Sequence, residues 1–166
     1  MITTQIQLNP RRRRHRPYLV GVGLTIVLII SGAVYAHGNA TGVVKERMDM
    51  MEKLGKSMKT LKSLVRSQSE FDAGKVAELA EGIQEVSNHV GAKFPKGSND
   101  APSEALPSIW EDWDRFDGLL EQMNVESAKL GEIAREGDQR GVMRQFVALG
   151  KTCKGCHTDF RKKKDQ

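Results

Sequence analysis

The stretch Gln139 to Lys164, QRGVMRQFVALGKTCKGCHTDFRKKK, decides how this chain folds. Val142, Phe146, Leu149, Cys153, Cys156, His157 and Phe160 recur at steps of three and four, the spacing of one face of an amphipathic helix. The chain's two cysteines, Cys153 and Cys156, both lie on that face, and His157 follows at once. A Cys-x-x-Cys-His run reads as a c-type haem attachment site, in which two thiols add across the haem vinyl groups and the imidazole binds iron. At about 100° per residue the three side chains fall within an arc of roughly 100°, so all can face one planar ligand. A redox pair with a neighbouring histidine and a zinc half-site are the rival readings. Zinc takes about four ligands. The other histidines, His15, His37 and His89, are scattered without ligand spacing. A thioredoxin-like motif would sit near alternating strands and helices, which the chain does not show.

Working outward, three more amphipathic segments precede this helix. The first runs from Gly42 to Ser67, with a stripe of Val44, Met48, Met51, Gly55, Met58, Leu61 and Val65. The second runs from Asp72 to Phe94, capped by Ser69 or Asp72, with Val76, Leu79, Ala80, Ile83, Val86, Val90 and Phe94 on its stripe. Pro95 to Pro107 holds three prolines among Gly, Ser, Asn and Asp and reads as a loop, longer than most helix–helix connections. The third helix is expected from Ser108 to Glu136, led by Ile109, Trp110, Trp113, Phe116, Leu120 and Met123. Gly137-Asp138 ends it and caps the fourth. Four such helices without strand-like alternation predict an all-α fold, an antiparallel four-helix bundle. Cofactor sites in such bundles are made by core-facing side chains. Covalent haem would add apolar bulk, so the apoprotein should be less stable.

The N-terminus reads differently. Met1 to Pro17 carries five arginines and no acid, and the nineteen residues from Tyr18 to Ala36 carry no charge. A basic segment followed by an apolar run is an export signal. Val34-Tyr35-Ala36 suits cleavage after Ala36, while the length approaches the roughly 20 residues that span a bilayer. Residues 1–36 are therefore read as a signal peptide or an N-terminal membrane anchor, and 37–166 as the haem-binding domain on the far side, in the periplasm. The net charge of +5 belongs wholly to the address segment. The exported domain is formally neutral, which excludes a nucleic-acid-binding reading. One basic cluster remains at Arg161-Lys162-Lys163-Lys164, either a solvated helix end or a docking patch for an acidic partner.

From Gly42 to Lys164 the chain resembles the class II c-type cytochromes, the cytochrome c′ family with its low-spin relatives. The residues that carry the resemblance are Gly150 to Arg161 around CKGCH, Arg47, Met51, Gly55 and Met58 of the first helix, and Pro107-Ser-Ile-Trp110 followed by Phe116. It implies one covalently bound haem c, often a homodimer, with Cys153 and Cys156 as attachment points and His157 as proximal iron ligand. It also implies that Met51 holds the distal position, that Arg47 pairs with a haem propionate, and that Arg161 lies near the proximal face. Periodicity agrees for Met51, which lies near the centre of the first apolar arc, with Met48 toward the edge and Met50 off it. Met58 and Met123 read as core filler. Trp110 and Trp113 read as core, with haem-edge contact open to one of them. The resulting expectation is a periplasmic mono-haem electron carrier, ligated by His157 and Met51, serving redox partner proteins of a periplasmic or membrane chain. The alternative is a high-spin, five-coordinate cytochrome c′ that binds nitric oxide or carbon monoxide. No enzyme constellation is legible, and membrane contact is expected only through the N-terminal segment.

Overall fold

The computed structural model describes residues 40–67 and 71–163. The export-segment reading, the Ser69 cap and Lys164 lie outside the described residues. Among the described residues there are five α-helices: α1 (Gly42–Arg66), α2 (Ala73–Val90), α3 (Ser108–Glu111), α4 (Trp113–Arg135) and α5 (Gln139–Phe160). The four long ones form the bundle. α2 packs closely along α4 and α4 along α5, and α1 closes the ring more sparsely against α2 and α5. That looser seating of α1 leaves room beside it.

The expected stripes supply most of the core: Leu61, Val76, Ala80, Ile83, Val90, Phe116, Val142 and Leu149 are buried between the helices. On the third long helix the stripe was expected to continue through Ala128 and Ile133, but Leu130 and Ala134 are the apolar side chains fully buried there. The reading of α1 needs a correction. Leu54, absent from the expected stripe, is buried, whereas Met48, Met51 and Gly55 line a cavity. The apolar arc of α1 is wide enough to serve two surroundings, core on one side and cavity on the other.

The expected third helix is interrupted. Asp112 leaves helical geometry (φ −130°, ψ 62°) and its carboxylate accepts a hydrogen bond from the Arg115 N–H. A short acidic side chain gains more by capping a new helix than by continuing an old one. α2 ends at Val90 and tightens into a 3₁₀ turn, Gly91–Lys93. Asp72 caps α2 through the Lys75 N–H, as expected. The fourth helix stops at Phe160 rather than Lys164. Arg161 is extended and forms an antiparallel bridge with Ala105, in which Leu106 N–H donates to Phe160 O and Lys162 N–H to Glu104 O.

The α4–α5 turn is as read. Gly137 adopts φ 77° and Asp138 accepts from the Gly141 N–H. Gly141 is buried where the turn closes. A Cβ there would come within 2.3 Å of Asp138 Oδ2 and 2.7 Å of Ile133 Cγ2. Gly141→Ala should therefore destabilise the domain by about 1–3 kcal/mol, the usual cost of overpacking, seen as a lower urea midpoint at unchanged slope.

Candidate haem site

A cavity of about 670 Å³ lies between α1, the C-terminal half of α5 and the aromatic end of the core. That volume is within the roughly 300–1,000 Å³ of ligand-holding clefts. Its wall on α1 is Met48, Met51, Glu52 and Gly55. Its floor is apolar: Val90, Phe94, Ile109, Phe116, Leu120 and Phe160. Phe116 anchors that floor, meeting Phe94 edge-on at 4.9 Å and Phe160 at 5.4 Å between ring centroids. Aromatic edges packed this way hold a rigid, dry surface.

The mouth is polar and cross-linked. Arg47 is buried, 4% exposed, and its guanidinium donates to Ser98 Oγ (3.0 Å), Ser98 O, Ser103 Oγ and, at 3.5 Å, Lys93 O. It also sits 4.8 Å over the Phe94 ring. Burial lowers its pKa from the ordinary arginine value. Ser103 Oγ in turn accepts from the Ala105 N–H. Arg161 pairs with Glu104 at 2.5 Å, and Lys162 Nζ donates to Ser103 O. The 93–106 loop is thus tied to α1 by Arg47 and to the chain end by Arg161 and Lys162. These loop partners escaped the sequence reading. The one available signal was a connection longer than packing requires, a feature of functional loops.

The structure brings Arg47, Met51, Cys156, His157 and Arg161 onto one cavity. Cys153 lies half-buried against the core, one turn before His157. Burial pushes the Cys153 thiol up, and burial, Cys153 and Asp159 push Cys156 up to about 11. Both sulfurs occupy surroundings that favour an uncharged state, such as a thioether. His157 is exposed at the rim. Desolvation by the cavity wall, then Arg161, lowers its pKa, with Glu104 opposing. That favours the neutral imidazole, the form that binds a metal. The residues therefore fit a c-type haem: thioethers to Cys153 and Cys156, the His157 imidazole on the iron, an apolar cavity and cationic groups at its mouth. Among the described residues no three His, Cys, Asp or Glu side chains converge to hold a zinc ion. Neither tryptophan reaches the cavity. Trp110 donates to Phe94 O at 2.9 Å, and Trp113, 38% exposed, leans on Phe116 from outside.

Residues 42–161 match the family model described as Cytochrome C′. The chain is 33% identical over 137 residues to cytochrome c-556 of Agrobacterium fabrum, covering 82% of this chain and 89% of that one. It is 29% identical to cytochrome c′ of Halomonas halodenitrificans, covering 69% and 92%. The nitric oxide complex of a leucine-to-alanine variant of cytochrome c prime from Alcaligenes xylosoxidans superposes with a TM-score of 0.68 at 27% identity, covering 74% and 94%. The cytochrome c′ matches overturn the expectation of a low-spin electron carrier ligated by His157 and Met51. The family model and relatives named cytochrome c′, one of them solved with nitric oxide bound, favour the gas-binding alternative. A methionine on a cavity wall is as readily a packing group as a ligand. The chain belongs to the cytochrome c′ family, whose members bind one covalently attached c-type haem.

Proposed function

We propose that this is a periplasmic, high-spin, five-coordinate cytochrome c′ that binds nitric oxide or carbon monoxide. Cys153 and Cys156 attach the haem and His157 is its protein ligand. The carrying observation is the likeness to a cytochrome c prime solved as its nitric oxide complex. The bound haem supplies the iron that takes the gas. The chain's own residues do the rest. Met48 and Met51 present an uncharged wall that suits a small neutral molecule. Gly55 adds no side chain to that wall. Arg47 fixes the loop that frames the mouth. The arginine-rich, then uncharged, N-terminus supports export to the periplasm.

Rapid mixing of the ferrous holoprotein with carbon monoxide tests this reading. The untouched protein should bind one equivalent. Met51→Ala should stay high-spin and bind faster, on the order of tenfold, equivalent to about 1.4 kcal/mol off the barrier, because a wall is removed and no ligand is lost. A wild type that takes no carbon monoxide, while Met51→Ala does, contradicts it.

A further inference from the structure

α5 has two working faces. Its inner face carries the haem residues. Its outer face is Arg140, Met143, Arg144, Val147, Lys151, Lys154 and Thr158, all exposed. By the helical 100° step these seven fall within an arc of roughly 100°, and the stripe runs about 27 Å along the axis. It holds four cations and no acid. The only carboxylate on α5, Asp159, is half-buried and paired with Arg115. Arg144 has a loose partner in Asp138 at 3.7 Å. Arg140, Lys151 and Lys154 have no ion-pair partner among the described residues. Two exposed apolar side chains lie in this stripe, Val147 (54%) near its middle and Met143 (50%) at its edge toward the N-terminal end. The Arg161–Lys162 cluster, by contrast, is absorbed by Glu104 and Ser103 at the cavity mouth. α5 therefore presents a basic surface left free in a formally neutral domain, and, unlike the exposed lysines of α1, it carries exposed Met143 and Val147.

We propose that this outer face of α5 is the docking surface for an acidic partner protein. An exposed valine near the centre and a methionine beside it, with charged groups around them, match the anatomy of a protein interface, and the cations without an ion-pair partner call for carboxylates opposite. A second copy docking ridge to ridge would set these four cations against their own equivalents. An interfacial membrane helix needs a broad apolar face, and that of α5 is turned into the bundle. The inference does not depend on the iron's sixth position. It places the partner one helix width, roughly 10 Å, from the haem cavity.

The test uses the ferric holoprotein and reduced flavodoxin, an acidic one-electron donor. The second-order reduction rate should fall with added salt. It should also fall about tenfold, the lower end of electrostatic steering effects, in the triple variant R140E/R144E/K151E. K53E/K59E/K62E on α1 makes the same change in net charge and should lose far less. Haem absorption checks that both variants are folded. Carbodiimide cross-linking of the wild type to flavodoxin should join Lys151 and Lys154. Equal losses in both variants, no loss in either, or cross-links concentrated on α1 would overturn the proposal. So would binding of the wild type to phosphatidylserine-containing vesicles, lost in the α5 variant, without any salt-dependent reduction by flavodoxin.

Discussion

The double variant Cys153→Ala/Cys156→Ala is expected to be exported with no covalently attached haem. Mass spectrometry should return the bare polypeptide mass, where the parent carries the haem increment. The loss should be complete, because these are the chain's two cysteines and no other thiol can form the bond. Each single variant keeps one possible thioether and should retain attached haem at reduced yield. The double variant also loses what fills a cavity of about 670 Å³ floored by Phe94, Phe116 and Phe160. A group held only by the folded state stabilises that state. Its loss should lower the thermal midpoint by on the order of 10 °C, the effect of about 2–3 kcal/mol in a domain of this size. Haem still covalently present in the double variant would refute the attachment site.

Arg47→Ala should be the most damaging single substitution outside the haem bonds. Arg47 is a buried cation whose guanidinium bonds three loop oxygens of Ser98 and Ser103 and covers the Phe94 ring. Hydrogen bonds from a charged donor contribute about 1.5–3 kcal/mol each. Relief from burying the charge offsets part of their loss. A net cost of roughly 3 kcal/mol follows from those two terms, measurable by urea unfolding of the holoprotein. Amide exchange should accelerate across residues 93–103, where the loop loses its tether. Arg47→Lys should recover little, because a single ammonium cannot reproduce the planar fork. A stability change under about 1 kcal/mol would mean that the loop holds itself.

How much of this was legible in the sequence follows from the range over which each feature is determined. The bundle was legible, because a stripe such as Val76, Ala80, Ile83 and Val90 declares its own helix. So was the place of Cys156 and His157 on the cavity wall, because the CKGCH run continues the stripe of α5. The Asp112 break was not. Trp110, Trp113 and Phe116 keep helical spacing across it, and only the capping geometry of Asp112 shows that the axis restarts. The end of α5 was misplaced because the Ala105–Arg161 bridge joins segments 56 residues apart. Burial of Arg47 was foreseeable, but its partners lie about 50 residues away in a loop without periodicity. Met51 marks the deeper limit. Its place beside the cavity was readable, whereas its role was not: the same side chain on the same helix face serves as wall or as ligand.

The central claim is a haem held by Cys153, Cys156 and His157 whose other side is open. Electron paramagnetic resonance of the purified ferric holoprotein tests it most directly, without mutation or added ligand. A high-spin ferric signal with no low-spin component is the predicted result. A purely low-spin spectrum, with Met51→Ala converting it to high-spin, would contradict it.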